Sequence, residues 1–376
     1  MVVLKFGGSS VANPERLRRV AGIIQKFRAS SPPKKVLVVV SAMGDSTDDL
    51  INLAGEVSKN SKMADRRREM DMLLSTGERV TMALLSLALA DLGIPAQSFT
   101  GSQSGIITDS NHGDAKIVEI RPHRLREALD AGRVVIVAGF QGVSPEKEIT
   151  TLGRGGSDTS AVALGAVFEA STTFIYTDVD GIFSADPRKI PKAKQIPEIH
   201  WSTVLEMASR GTQVLHPRCV EIAAKFKVGL VVRNTLKEST ETRINTTQNT
   251  KDLHMLESPK VLGVTLEENI NLESAIYHKE PAESLGSLRV SGKYIQFSRS
   301  AGPHGSHTRI SLVGVGLHRM PSLGERSEKI LLESEINLEN LVSHISASAA
   351  EFIFETRDKN ISEELLKKFH KVFLET

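Results

Sequence analysis

Short apolar runs separated by stretches of helical character constrain the fold more than any other feature of this sequence. Val2 to Leu4, Lys34 to Ala42, Arg133 to Ala138, Thr173 to Thr177 and Gly229 to Arg233 read as strands. After the first comes a helix whose apolar face includes Leu17, Val20, Ile24 and Phe27. Asn13 fits its cap and Pro14 its first position, where a missing N–H costs nothing. A second long helix is predicted to begin near Ser75, where STGE matches a capping box ahead of VTMALLSLALADLG, and to stop at Gly93 and Pro95. Ala161, Leu164, Gly165 and Phe168 share a face of a further helix, which puts LGRGGSD at a loop-to-helix junction. This is a mainly α/β sequence.

At 376 residues the chain exceeds the common size of one domain, so one large unit plus a smaller one is expected. The tract NTLKESTETRINTTQNTKD is polar and rich in Thr and Asn, which puts the main boundary between about Asn234 and His254. Beyond it come the strand HTRISLVGVG, a helix ending near Ser334, and strand candidates at Leu341 to Ile345 and Glu351 to Thr356. A final helix carries Ile361, Leu365, Leu366, Phe369 and Phe373, and the order suggests a small α+β module.

Composition excludes several function classes. With 47 Lys and Arg against 45 Asp and Glu, the formal charge of +2 creates no general attraction to nucleic acid or anionic membrane. The clearest apolar runs, Val36 to Val40 and Val134 to Phe140, fall well below the roughly 18 residues of a membrane span, so none is expected. The start MVVLKFGGSS lacks the longer apolar region of a secretory signal, which makes the cytoplasm the expected compartment. Cys219 is the only cysteine, so the chain has no internal disulfide and no multi-cysteine metal cage.

Three segments can carry chemistry. In KFGGSS, Lys5 can meet phosphate charge while Gly7 and Gly8 let backbone donors approach phosphate oxygens. A surface lysine beside a routine turn fits the same residues, and there is no GxxxxGK[ST] signature. In LGRGGSDTSA, Arg154 can bind a carboxylate in bidentate geometry and Asp158 can orient Lys5; a solvent-exposed turn with an Asp helix cap is the alternative. TDVDGIFSADPR, at residues 177 to 188, can order ribose and phosphate groups or be an ordinary acidic turn. It lacks the late Glu of a calcium-binding EF-hand loop. Glu78 either serves the capping box or recognises a substrate ammonium. His112, His123, His200 and His216 form no metal motif, and Cys219 reads as structural.

Taken together, KFGGSSV, VVVSAMGDSTDDL, STGERV, GFQG, TLGRGGSDTSA, TDVDGIFSADPR and QVLHPR resemble the aspartate kinases of the amino-acid kinase family over nearly all of residues 1 to 235. The resemblance implies an α/β amino-acid kinase fold with a central, mainly parallel sheet in residues 1 to 235, a linker at 236 to 256, and an α+β regulatory region at 257 to 376. That region resembles paired ACT modules of ferredoxin type, most recognisably in RISLVGVG and INLENLVSHISASAAEFIFE, with an abbreviated first half. The implied reaction transfers the γ-phosphoryl group of ATP to the side-chain carboxylate of L-aspartate, giving 4-phospho-L-aspartate on the route to lysine, threonine and methionine.

The same resemblance places Lys5, Phe6, Gly7 and Gly8 at the nucleotide phosphates, Thr47 and Glu78 at aspartate, and Arg154 in the amino-acid site, with Ser41 shaping the adjoining loop. Asp158 organises the reactive centre. Thr177, Asp178, Phe183 and Arg188 would surround ATP, with Phe183 standing where tyrosine is common. Mg2+ is expected to bridge ATP oxygens, although no complete protein-supplied coordination shell is identified. The modules imply a homo-oligomer. A kinase acting on a different carboxylate is the competing enzyme reading. A binding protein that has lost catalysis is the other, against which Lys5, Arg154 and Asp158 argue jointly.

Overall fold

The computed structural model describes residues 1–31, 34–58, 64–212, 214–237, 241–245, 260–274, 286–290, 293–299, 307–338, 341–356 and 358–375. They form two compact units whose segments alternate along the chain: Met1–Gly181 with Leu215–Thr246, and Ile182–Val214 with Thr247–Thr376. The stretch Ile182–Val214 thus belongs with the C-terminal unit although it precedes residue 235.

In the first unit the expected strands are Val2–Phe6, Val36–Val40, Val134–Ala138, Thr172–Thr177 and Leu230–Asn234. Across the sheet they run Leu230–Asn234, Thr172–Thr177, Val2–Phe6, Val36–Val40, Val134–Ala138 and then Ala96–Phe99, every neighbouring pair parallel. Alternation along these strands feeds two cores. Leu4, Phe6, Val38 and Ile136 pack with Leu17, Val20 and Ile24 of the helix Pro14–Arg28 and with Met82, Leu85 and Leu89 of the helix Ala64–Asp91. Val3, Leu37, Val39 and Val137 pack instead with Leu125 and Leu129 of His123–Asp130 and with Ala161 and Leu164 of Gly156–Val167. Burying one such aliphatic side chain contributes about 1.5 to 3 kcal/mol. The Asn13 side chain accepts from the Arg16 amide at 2.9 Å, as the cap requires.

Register makes the strand ends level: Phe6 lies beside Val40 and Tyr176, Val40 beside Ala138, and Thr177 beside Asn234. The loops that begin at Gly7, Ser41, Gly139 and Asp178 therefore leave one edge of the sheet, the edge where open parallel sheets bind ligands. A smaller sheet, ordered Ile117–Ile120, Ile106–Thr108, Gln141–Val143, Ile149–Thr151, belongs to the same unit.

Ser46–Val57, Ala96–Phe99 and the strands of the smaller sheet were not expected, and two elements that were read take a different form. The long helix begins at Ala64, not near Ser75, so STGE lies in its interior. The Ser75 and Thr76 hydroxyls donate back to the Met72 and Leu73 carbonyls at 3.0 and 2.6 Å, a bond open to a hydroxyl inside a helix, and no cap forms there. By length and composition Arg66–Asp91 is also long and apolar enough to cross a membrane; its Met82, Leu85 and Leu89 are spent on the sheet. Within the expected linker, Thr242–Asn245 is a strand antiparallel to Leu230–Val232, with Thr242 and Ile244 buried. Residues 238–240 and 246–256 of that segment lie outside the described residues.

In the second unit an antiparallel sheet runs Gly286–Val290, Lys293–Arg299, Lys260–Ser274, His307–Val315, Ala349–Glu355, Val342–Ile345. Leu312, Phe352 and Phe354 from its strands, Ile330 and Leu331 from Leu323–Leu332, and Leu365, Leu366 and Phe369 from Lys359–Leu374 form its core. Among the described residues from 260 to 299 every element is a strand.

Candidate functional site

A lysine in a fully buried strand needs a partner. Residue spacing in Val2–Phe6 puts Lys5 on the face of Val3, the one covered by Gly156–Val167, and Asp158 sits in the first turn of that helix. The Lys5 Nζ to Asp158 Oδ1 distance is 2.6 Å, with the two side chains only 11% and 13% exposed. An acidic residue in the first turn also suits the helix dipole. Asp158 is thereby an ion-pair partner aimed at the strand.

The turn into this helix requires glycine. Gly155 has φ of 68°, and a Cβ there would lie 2.3 Å from the Cβ of His216. With no side chain to accommodate, the loop closes against His216 and Arg154 stands exposed at its crest. Among the described residues Arg154 makes no ion pair, so its guanidinium is available to an incoming carboxylate.

Glu78 is placed by a close approach of helix to loop. A Cβ on Gly77 would lie 2.7 Å from the Ala42 Cβ, so only glycine lets Ala64–Asp91 come this near to the loop after Val36–Val40. Glu78 Oε1 accepts from the Ala42 amide at 3.2 Å, while buried Oε2 has no hydrogen-bond partner. Burial pushes the Glu78 carboxyl up to about 7, against hydrogen bonds that favour its charged form. The bland alternative, a capping Glu, does not hold for this residue. An unsatisfied buried acceptor is what a cationic ligand group would complete.

These groups converge. Lys5, Gly8, Ser41, Thr47, Glu78, Arg154 and Asp158 all line one cleft of about 1060 Å³. Thr177 and Asp178 close the adjoining strand end, where the Thr177 hydroxyl donates to Asp178 Oδ1 at 3.1 Å and Asn234 Nδ2 donates to the Asp178 carbonyl at 3.0 Å. Phe6 and Gly7 are exceptions: the Gly7 amide donates to the Tyr176 carbonyl at 3.1 Å, and spacing along the strand turns Phe6 away from Lys5, into the core, where its ring stacks on Tyr176 at 4.7 Å. The Phe6 carbonyl is also taken, by the Ser41 amide at 3.1 Å. Phe183 and Arg188 belong to the second unit; there Phe183 pairs with Gln195, and Arg188 closes in a fork on Asp186 at 3.0 and 2.9 Å.

Several cleft residues were not singled out from sequence. Phe140 adopts a positive φ of 67°, which is costly for a bulky residue, and its amide donates to Ser160 Oγ at 3.2 Å. Asp71, fully buried, ties three walls together: its carboxylate accepts from Thr151 Oγ1, meets His112 Nδ1 at 2.7 Å, and accepts from the Gly113 amide at 3.2 Å. GFQG was the available signal for the first. For Asp71 the sequence offered none, because its partners are separated from it by about 40 and 80 positions.

Cys219 is fully buried, its thiol is held well above the ordinary range by burial, and it donates to the His216 carbonyl, all of which fits a structural role. Among the described residues no group of three or more His, Cys, Asp or Glu is placed to hold a metal ion.

Residues 1–234 match the model of the amino acid kinase family. An aspartokinase from Mycolicibacterium smegmatis is 53% identical over 239 residues, which are 63% of this chain and 55% of that one. The chain therefore spans little more than half the length of this relative. An aspartokinase from Corynebacterium efficiens is 37% identical over 398 residues, covering 97% of this chain and 89% of its own. The crystal structure of aspartokinase III from E. coli, in complex with aspartate and ADP (R-state), superposes with a TM-score of 0.77 over 100% of both chains, at 22% identity, and so shares the fold. With a family model covering more than half of its length and a relative of this identity spanning most of both sequences, the chain belongs to the amino acid kinase family, among its aspartokinases.

Proposed function

We propose that the chain is an ATP-dependent aspartate kinase that phosphorylates the side-chain carboxylate of L-aspartate, giving 4-phospho-L-aspartate for lysine, threonine and methionine synthesis. The observation that carries this reading is the buried Lys5–Asp158 pair in the same cleft as the unpartnered Glu78 Oε2 and the open Arg154 guanidinium. One site thus offers a cationic donor for phosphate, an acceptor for an ammonium and a fork for a carboxylate.

The chemistry needs little more. The attacking carboxylate has a reference pKa of about 3.9 and is ionised at neutral pH, so no general base is required. What the site must do is align that oxygen with the γ-phosphorus and stabilise charge spread over the transferring group. Lys5 supplies the stabilising charge, Asp158 fixes its direction, and Glu78, Thr47 and Arg154 hold the amino acid beside Ser41. Gly8 offers a backbone donor to the phosphates and Gly7, whose amide donates to the Tyr176 carbonyl at 3.1 Å, leaves room for their approach, while Thr177, Asp178, Phe183 and Arg188 hold the nucleotide. Phe183 keeps an aromatic face without a hydroxyl. Among the described residues no group of carboxylates is placed to form a cage for Mg2+. The ion is assigned to the oxygens of ATP, where it would neutralise phosphate charge.

Residues 1 to 235 form the catalytic region in this reading, and 257 to 376 the regulatory one. A cytoplasmic location is part of the same reading. A homo-oligomer is also part of it, supported by the ACT-like C-terminal sequence; light scattering on the purified chain should give the mass of at least two copies, and a monomer mass would reject assembly.

The deciding experiment is a substrate panel. Purified protein with Mg2+ and ATP should form an acyl phosphate from L-aspartate, trapped with hydroxylamine. Turnover of glutamate or acetylglutamate with no comparable aspartate reaction would reject the assignment.

A further inference from the structure

We propose that the C-terminal helix Lys359–Leu374 sets nucleotide affinity, with His370 and Glu363 acting as positioning residues for the loop that carries Phe183 and Arg188. All of these residues belong to the second unit. The inference rests on the reading above that this loop meets the nucleotide.

The loop is a folded-back segment with a fixed base and an open tip. Ser184 N donates to the Lys194 carbonyl at 2.9 Å, Ile196 N to the Ile182 carbonyl at 2.8 Å, and Val264 N to the Ser184 carbonyl at 2.8 Å. Ala185 and Ile190 are buried in the same core as Leu366 and Phe369 of the helix. At the tip, the Arg188 side chain is 82% exposed.

The helix reaches this base through two polar links. His370 is 1% exposed and its Nε2 lies 3.1 Å from Ser184 Oγ. That oxygen also accepts from Lys194 N at 3.0 Å, so the hydroxyl joins the helix to the base of the loop. The other nitrogen, Nδ1, faces the Glu375 carboxylate, which can only accept, and so donates to Oε1 at 3.1 Å, and Glu375 Oε2 meets Lys192 Nζ at 3.1 Å. The second link runs from Lys189 Nζ to Glu363 and Glu268, each at 3.8 Å. Packing alone asks for an apolar side chain at a buried helical position, yet this one carries an imidazole used at both nitrogens. Both links land beside the residues that matter: Ser184 follows Phe183, and Lys189 follows Arg188.

The test uses the full chain, titrating ADP with Mg2+ by calorimetry and measuring KM for ATP and for aspartate. Ser184→Ala and Glu363→Gln should each weaken ADP binding about three- to tenfold, the worth of one hydrogen bond or ion pair, with aspartate KM within about twofold. His370→Ala should do the same, and His370→Gln, which can still bond Ser184, should recover part of the loss. Thermal melts establish which variants fold; if His370→Ala does not, Ser184→Ala and Glu363→Gln decide. Unchanged ADP binding in these folded variants overturns the proposal, as does an equal rise in both KM values. Arg188→Ala separates the two levels: if it leaves ADP affinity unchanged, the nucleotide reading of the loop fails and the proposal with it. If it weakens ADP while the Ser184 and Glu363 variants do not, positioning alone is overturned.

Discussion

Lys5→Ala should lower kcat at saturating ATP and aspartate by about ten- to a thousandfold, equivalent to about 1.4 to 4.2 kcal/mol of transition-state stabilisation. The range follows from what the side chain does. Its ammonium sits at the end of a buried strand, held 2.6 Å from Asp158, and needs little rearrangement to meet a phosphoryl oxygen. A charge already in place stabilises the transition state more than a mobile one, because no reorganisation is required during the reaction. Loss from ground and transition states alike would instead raise KM and leave kcat unchanged. Removing Lys5 also leaves Asp158 without its partner, and breaking a buried pair from one side costs stability, so melts must accompany the assay. Asp158→Asn keeps the shape while removing the charge, and should reduce kcat by less than Lys5→Ala. Near-wild-type turnover in folded Lys5→Ala would reject the role, even with weaker ATP binding.

Five strands of the parallel sheet were legible because they are short apolar runs buried on both faces, and such runs need no distant information to be recognised; Ala96–Phe99, with Gln97 and Ser98 and only Phe99 buried, was not. Val134–Ala138 and Thr172–Thr177 fall within one residue of their expected ends. The cap at Asn13 was legible for the same reason, since cap and first turn are adjacent in sequence. The functional grouping of Lys5, Glu78, Arg154 and Asp158 came from a combination of motifs. No spacing rule predicts that positions so far apart meet in one cleft.

What failed was local chemistry with a non-local competitor. STGE has the letters of a capping box, but the preceding MDMLL lets the helix run through it, and Glu78 spends its carboxylate on a loop 36 positions away. Phe6 shares a motif with Lys5, yet adjacent residues of a strand face opposite ways, and only one of the two can reach the site. The polar tract after Asn234 was legible as a change in composition. That Thr242–Asn245 nevertheless pairs with Leu230–Val232 follows from two inward side chains, too few to stand out from the surrounding Thr and Asn.

Glu78 should give aspartate use a pH dependence that Glu78→Gln removes. Its carboxyl is raised from the ordinary 4.5 to about 7 because desolvation outweighs the Ala42 hydrogen bond. If the ionised form binds the substrate ammonium, kcat/KM for aspartate should fall about twentyfold between pH 7.5 and 5.5, and should be low but nearly flat in Glu78→Gln. Stability should move the opposite way. An acid whose folded pKa lies above its unfolded value binds its proton more tightly when folded, so the free enzyme is favoured at low pH and loses stability as pH rises through about 4.5 to 7. The interval corresponds to an upper bound of about 3 kcal/mol. Above pH 7, Glu78→Gln should therefore melt higher than the parent chain while using aspartate less well; near pH 4 the two should melt together. Saturating aspartate should narrow the gap at high pH, since its ammonium restores to the buried carboxylate the partner that the empty cleft lacks. Parallel melting of both proteins at every pH, with an unchanged slope of kcat/KM, would show that Glu78 is not titrating in the site.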